Sequence, residues 1–238
     1  MNDVQIDSGN VNMVQVKNER HSKISSPPRR ATAERHETLR AGLLEAAKTF
    51  IETNGLAALR ARTLAEDAGC SVGAIYNVFA DLDALILAVN AVTLAEIGAR
   101  MAATAPAPPA EKFQILAGAY LDYAVEHRRR WDALFTHRLP AGVEAPDWFM
   151  SIQAAAFSHI ETPLLALRPD LPSAAIPLLA RGIFAAVHGV VAFGLEHRTG
   201  PIDLPALRAQ LTTIAAAIAH GLAAERAGAD NSHSRKTT

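Results

Sequence analysis

The chain has 238 residues, half of them apolar but only 5% aromatic, a formal net charge of −1 and one cysteine, Cys70. That length is ample for a hydrophobic core in one domain or two small ones, and the heavy use of alanine with few β-branched runs reads as nearly all helix. A lone cysteine excludes an internal disulfide and fits a reducing, cytoplasmic setting.

The charge is unevenly placed. From Lys17 to Arg62 ten basic residues face five acidic ones, leaving that segment at +5 and the rest of the chain at −6. A basic end on an acidic body suggests a local polyanionic partner. The N-terminal MNDVQIDSGN has neither a basic start nor an apolar stretch, so no signal peptide is expected.

Residues 1–32 are polar and unpatterned and end on Ser25, Ser26, Pro27, Pro28, Arg29 and Arg30, which predicts a disordered basic arm. A helical period begins at Glu34, with Leu39, Leu43, Leu44, Ala47, Phe50 and Ile51 on one face, and Asn54-Gly55 stops it. A short second helix over 61–68 turns Leu64, Ala65 and Ala68 inward and ends at Gly69. The uncharged segment CSVGAIYNVF (70–79) follows, and Asp81 caps a long fourth helix whose first turn carries Asp83.

Two short helices around a tight glycine turn make a helix-turn-helix. Cys70 fits the small core, and Ser71 can cap the second of the two helices by accepting from the amide of Gly73 or Ala74. Ile75 and Phe79, four apart, pack inward, which leaves Val72, Gly73, Ala74, Tyr76 and Asn77 facing out. A helix entering a major groove needs a small N-terminal end for close approach, and Gly73 and Ala74 provide it. Tyr76 can donate to a phosphate and Asn77 can read a base edge. The plainer alternative is a solvent-facing turn with an incidental tyrosine.

LLEAAKTFIETNG and RTLAEDAGCSVGAIYNVFADLDAL, in this order and spacing, resemble the DNA-binding domain of the TetR family of transcriptional regulators over about residues 35–90. The resemblance implies a homodimer on double-stranded DNA with a palindromic operator, contacted from Arg60, Arg62, Ser71, Val72, Gly73, Ala74, Tyr76 and Asn77. It also implies repression relieved by a small effector. Several positions depart from the family pattern. Arg60 stands at the second helix cap, where Ser or Thr is common. Ala74 replaces a customary Thr, Val78 a frequent His, and Leu82 a Lys. ARGIFAAVHGVVAFGLE (180–196) is similar to the effector domains with a W-x-x-x-HG pattern, with Phe184 near the tryptophan position.

TAPAPPA (104–110) is the clear breaker inside the globular part and reads as a boundary region between domains. Beyond it helices are expected near 111–126, 128–137, 147–166, 173–198 and 203–226. The assignment is then a helix-turn-helix domain over 33–82, a helical effector-binding and dimerisation domain over 83–226 and a flexible tail over 227–238. The apolar run 176–195 is interrupted by Arg181 and His188, so a buried helix is expected there and no membrane span. HRRRWDALF (127–135) suits an anion, a solvated face or a contact between domains.

Histidine and cysteine spacings suited to a metal are missing, and no phosphate loop or Gly-x-Ser-x-Gly occurs, so no cofactor, metal or catalytic residue is expected. Trp131, Phe135, Trp148, Phe149, Gln153, Phe157, Phe184 and His188 are candidates for a cleft suited to a small lipophilic molecule, with core packing as the alternative for each. Gly182, Ala185 and Gly189 form a small-residue stripe, while Leu207, Leu211, Ile214, Ile218 and Leu222 recur at helical spacing. Both sets are candidates for a dimer seam. A helical carrier or enzyme using the C-terminal cavity beside a vestigial DNA-binding domain is the competing reading.

Overall fold

The computed structural model describes residues 29–196 and 203–234, with side chains described over 33–196 and 203–226. Most of the expected arm, and residues 235–238 of the expected tail, lie outside the described residues. Nine α-helices and two 3-10 turns are present among the described residues, and no strand.

The helices follow the sequence periods closely. Helix α1 (Arg29–Asn54) starts four residues before the expected end of the arm. The breakers stop at Pro28, and the Arg, Ala and Glu residues that follow are strong helix formers. Gly55, at φ +81°, ends α1. A 3-10 turn (Leu56–Ala58) leads to α2 (Ala61–Asp67), whose N-cap Arg60 supplies no side-chain cap bond. Gly69, at φ +63°, makes the tight turn into α3 (Val72–Val78). Ser71 Oγ accepts from the amide of Ala74 at 3.1 Å, and Asp81 Oδ1 caps α4 (Leu82–Ala102) by accepting from Ala84 at 2.7 Å.

Leu43, Ala47, Phe50 and Ile51 of α1 meet Leu64, Ile75 and Phe79 in one N-terminal core. Leu85, Ile86 and Val89 of α4 belong to the same core, and so does Ala133 of α6 (Arg128–Thr136). The other half of α4 packs elsewhere: Ile97 and Met101 join a second core with Leu116, Tyr120 and Leu121 of α5 (Pro109–Glu126). Helix α4 is thus common to both cores. The break at 103–108 only folds the chain back, and Lys112 Nζ closes it by donating to Thr104 Oγ1 at 2.6 Å and to the Ala105 carbonyl at 2.9 Å.

Helix α7 (Asp147–Leu167) lies against α4, where the two approach closely: a Cβ on Gly98 would sit 3.8 Å from Ala156 Cα. A second 3-10 turn (Ser173–Ala175) precedes α8 (Ile176–Leu195). Helix α9 (Leu204–Ser234) packs on α5 and α8 and runs through residues 227–234, which the sequence assigned to a flexible tail. The Ala-Ala-Glu-Arg-Ala run at 223–227 favours helix, and no proline follows to stop it.

Polar groups tie the two cores together. The buried guanidinium of Arg130 donates from Nε to Glu52 on α1 and from an Nη to Glu96 on α4, each at 2.7 Å. Tyr123 O–H donates to the same Glu96 oxygen at 2.8 Å. Burial raises the Glu96 pKa, but the bonds from Tyr123 and Arg130 outweigh it and hold the carboxyl below its ordinary value. Arg129 donates to the carbonyls of Thr53 and Glu52 at the end of α1. At the far end of α6, His137 Nε2 meets Asp83 Oδ1 at 3.0 Å.

Three outcomes follow for stability. Arg130→Met strands two carboxylates that are each about one-third exposed, so chemical denaturation should show a loss of about 2 kcal/mol, below the figure for a fully buried pair. Because Glu96 titrates lower when folded, its share of stability is complete above its ordinary value of 4.5 and is lost as pH falls through the folded value. Glu96→Gln should therefore flatten the acid limb of the stability curve; it should also move the alkaline limb, because burial and Glu96 together hold the Tyr123 hydroxyl above its ordinary value. Asn90 of α4 is buried with an unpartnered carboxamide oxygen. Asn90→Leu should raise Tm by about 2–4 °C in calorimetry, as removal of an unsatisfied buried acceptor worth about 1 kcal/mol predicts.

Candidate functional site

Helix α3 turns Ile75 and Phe79 fully inward and leaves Val72, Gly73, Tyr76 and Asn77 exposed, with Tyr76 at 49%. Ala74 is half-buried, and Ser71 is exposed at the cap. The C-terminal end of α3 is held from α1 by two residues that the sequence reading missed. His36 Nε2–H donates to the Asn77 carbonyl at 3.1 Å, and the Arg40 guanidinium lies 5.1 Å from the centre of the Phe79 ring. Their periodicity marks them only as residues on the polar side of α1, so no sequence signal singles them out.

The two arginines differ. Arg62 is 88% exposed, and its partner is Glu66, one turn on, at 3.5 Å. Such a surface pair contributes little and leaves the guanidinium available. Arg60 folds back on its own loop, donating to the carbonyls of Ala57 and Leu59 at 2.9 and 2.7 Å. Both bonds use Nη1, so Nη2 and Nε keep donors for the expected phosphate contact, from a side chain fixed on its loop.

A cavity of about 180 Å³ lies between α4, α5, α6, α7 and α8. Five of the expected residues line it: Phe135 from α6, Phe149, Gln153 and Phe157 from α7, and Phe184 from α8. Leu94, Ile97 and Met101 of α4 and Tyr120 of α5 complete the wall, with Leu134, Ala156 and Ile160. The sequence reading missed these, because a helical stripe facing a void has the same period as one facing a neighbour.

Three expected pocket residues sit elsewhere. Trp148 is 46% exposed, turned away from the cavity with its edge to Phe149. Trp131 and His188 form a layer behind the wall. Trp131 Nε1–H donates to the Tyr120 oxygen at 2.8 Å, and the His188 ring centre lies 4.0 Å from that of Phe135. Indole nitrogen can only donate, so the single phenolic proton of Tyr120 goes to His188 Nδ1, 2.9 Å away. His188 then carries its proton on Nε2. Burial lowers the His188 pKa and raises that of Tyr120, which keeps both groups neutral.

The candidate dimer residues also divide. Gly182, Ala185 and Gly189 are exposed, and a Cβ on either glycine would meet no atom within 4 Å. The stripe therefore makes no crossing within the chain. The intramolecular α8–α9 crossing is at Gly194, where an added Cβ would collide with Leu207. Leu207, Leu211 and Leu222, expected at a seam between subunits, are instead buried in the chain's own cores. Their period reports burial without saying against which helix. Ile218 is half-buried and packs on the core of α5, α7 and α8, while half-buried Ile214 borders an open groove between α8 and α9.

Helices α4 and α8 (with its 3-10 turn) are long and apolar enough to cross a membrane by length and composition. The apolar window is 61% buried in the first and only 28% buried in the second. Burial accounts for α4. It does not account for α8, whose outer face carries Leu178 and Phe193 at 73% and 58% exposure around the glycine–alanine stripe.

Residues 43–89 match the sequence profile described as bacterial regulatory proteins, tetR family, and residues 113–218 match that of the tetracyclin repressor-like C-terminal domain. No curated protein sequence matches. Among solved structures, a Rhodococcus sp. RHA1 protein of unknown function is 23% identical, with a TM-score of 0.57 over 79% of this chain and 94% of its own. RolR bound to resorcinol is 18% identical, with a TM-score of 0.59 over 80% and 95%. FadR from Bacillus subtilis bound to stearoyl-CoA is 15% identical, with a TM-score of 0.59 over 74% and 97%. At such identities the likeness is one of fold. The two profiles supply the rest: together they span well over half the sequence, in the order and at the places where the helix-turn-helix and the cavity-bearing bundle lie, and the chain belongs to the TetR family of transcriptional regulators.

Proposed function

We propose that this DNA-binding regulator is a cytoplasmic, homodimeric repressor that leaves a palindromic operator when a small lipophilic effector fills the cavity. The observation that carries the reading is the double use of α4 and α6. Leu94, Ile97 and Met101 line the cavity while Leu85, Ile86 and Val89 of the same helix build the helix-turn-helix core. On α6, Leu134 and Phe135 line the cavity, Ala133 enters the N-terminal core, and Arg129 and Arg130 grip the end of α1. A ligand that favours one position of these helices biases the placement of α3.

On the DNA side the reading surface is Arg62 with Val72, Gly73, Tyr76 and Asn77. Gly73 supports it in a particular way. An added Cβ would meet only Ser71 Oγ, at an ordinary 3.8 Å, so nothing inside the chain requires glycine there. Glycine costs a helix about 1 kcal/mol against alanine. Close approach to a partner explains its presence. The dimer surface we assign to the outer faces of α8 and α9, where Ala185, Gly189, Phe193, Thr213 and Ala217 are exposed and Phe193 and Thr213 border one open groove.

An operator selected from random duplex DNA gives the direct test. Gly73→Ala should stabilise the protein by about 0.5 kcal/mol yet weaken operator binding, whereas a variant that is both more stable and equally tight-binding would remove the argument from close approach. Tyr76→Ala and Arg62→Ala should each weaken binding with Tm nearly unchanged, and Arg62→Ala should lower the salt-dependence slope by about one. Ala185→Arg should sediment as a monomer and lose the full operator while keeping its helical content. A dimeric Ala185→Arg protein would exclude that face as the seam.

A further inference from the structure

We infer that the effector is an uncharged aromatic molecule of one or two fused rings with a single hydrogen-bonding group, an inference that rests on the regulatory reading of the cavity given above. Size sets the first limit. A cavity of about 150 Å³ holds one benzene in an engineered lysozyme core, so about 180 Å³ suits one substituted ring or a small fused pair. Drug-sized ligands take about 300 Å³ or more. Past the wall of Tyr120 and Phe184 there is a further void of only about 20 Å³, lined by Phe113, Leu116, Ile183 and Val187, which has no room for an acyl chain.

The wall sets the chemistry. Five of its twelve residues are aromatic, and the rest are aliphatic or alanine apart from Gln153. Rings meeting rings edge to face or offset gain more than area burial alone. No charged side chain lines the cavity, so a carboxylate or phosphate inside it would lie desolvated and unpaired. Asp147, Glu161 and Arg181 border an outer groove that shares Gln153 and Phe157 with the cavity. Arg181 lies 6.0 Å from the centre of the Phe157 ring, on that outer side.

One hydrogen-bonding position is open. The Tyr120 hydroxyl already accepts from Trp131 and donates to His188. Gln153 forms no hydrogen bond with the described residues, so its carboxamide has both a donor and an acceptor to offer. It is half-buried at the boundary between cavity and groove, so the ligand's polar group sits at the mouth and its rings lie inside.

Isothermal titration of the full chain with 2-naphthol, naphthalene, 2-naphthoate, n-decanol and stearoyl-CoA tests this. We expect 2-naphthol to bind tightest and 2-naphthoate, its charged counterpart of like shape, to bind about 100-fold more weakly. Gln153→Leu should weaken 2-naphthol about ten-fold and leave naphthalene unchanged. Ala156→Phe, checked for an unchanged circular dichroism spectrum, should abolish binding of both by filling the cavity. Tighter binding of n-decanol, 2-naphthoate or stearoyl-CoA than of 2-naphthol would overturn the inference, as would no binding by either neutral aromatic. Operator release is read separately by fluorescence anisotropy. A neutral aromatic that binds in the cavity without loosening the operator contradicts the regulatory reading and leaves the ligand class standing.

Discussion

One guanidinium holds the two halves of the chain in register. Arg130 is buried, and its planar fork reaches Glu52 at the end of α1 and Glu96 in the middle of α4 at the same 2.7 Å. A lysine ammonium, a compact point charge, does not reproduce that fork. Since α6 is also held at its far end by His137 on Asp83, it lies pinned across α4 at both ends. Displacing α6 therefore displaces the end of α1, stretches these charged contacts, or does both. Buried polar networks of this kind often add little net stability, and their better-supported use is to fix register. Here the register is that between a DNA-reading unit and a cavity.

The cavity is built against the same two helices. Phe135 and Leu134 project into it from α6, and Leu94, Ile97 and Met101 from α4. Trp131, Tyr120 and His188 form a hydrogen-bonded layer behind Phe135 and stiffen that wall. In the proposed regulation, a ligand pressing on Phe135 would meet a side chain with little freedom to yield locally, and the displacement would fall on the helix. On α4 the buried Asn90 keeps an unpartnered carboxamide oxygen, a local cost to stability.

Much of this was legible in the sequence, for reasons that also set the limit. The helices of the N-terminal unit are marked by punctuation with a direct physical meaning: Asn54-Gly55, Gly69, and the caps Ser71 and Asp81. The outward face of α3 follows from the four-residue spacing of Ile75 and Phe79. Four cavity residues were legible as aromatics on adjoining helices, with Gln153 beside them. The errors share one cause, since helical period shows that a face is covered and does not name the cover. Leu207, Leu211 and Leu222 read as a seam and proved to be core. The Arg128–Arg130 run was equally compatible with solvent, an anion or an interdomain contact, because its partners Glu52 and Glu96 lie 78 and 34 residues away. Gly182 and Gly194 look alike as letters, yet only Gly194 has a neighbour close enough to forbid a side chain.

The central claim is that α6, through Arg130, couples the occupied cavity to the DNA-reading helices. Thermodynamic linkage requires an effector that lowers operator affinity by some factor to be bound more weakly by the operator complex by that same factor. The most direct measurement is that factor in the wild type and in Arg130→Lys, with 2-naphthol or whichever probe binds the cavity, at a concentration where both proteins are folded. The account predicts that Arg130→Lys keeps probe affinity and operator affinity each close to wild type when measured alone, while the coupling factor falls towards one. An unchanged coupling factor in Arg130→Lys would contradict it.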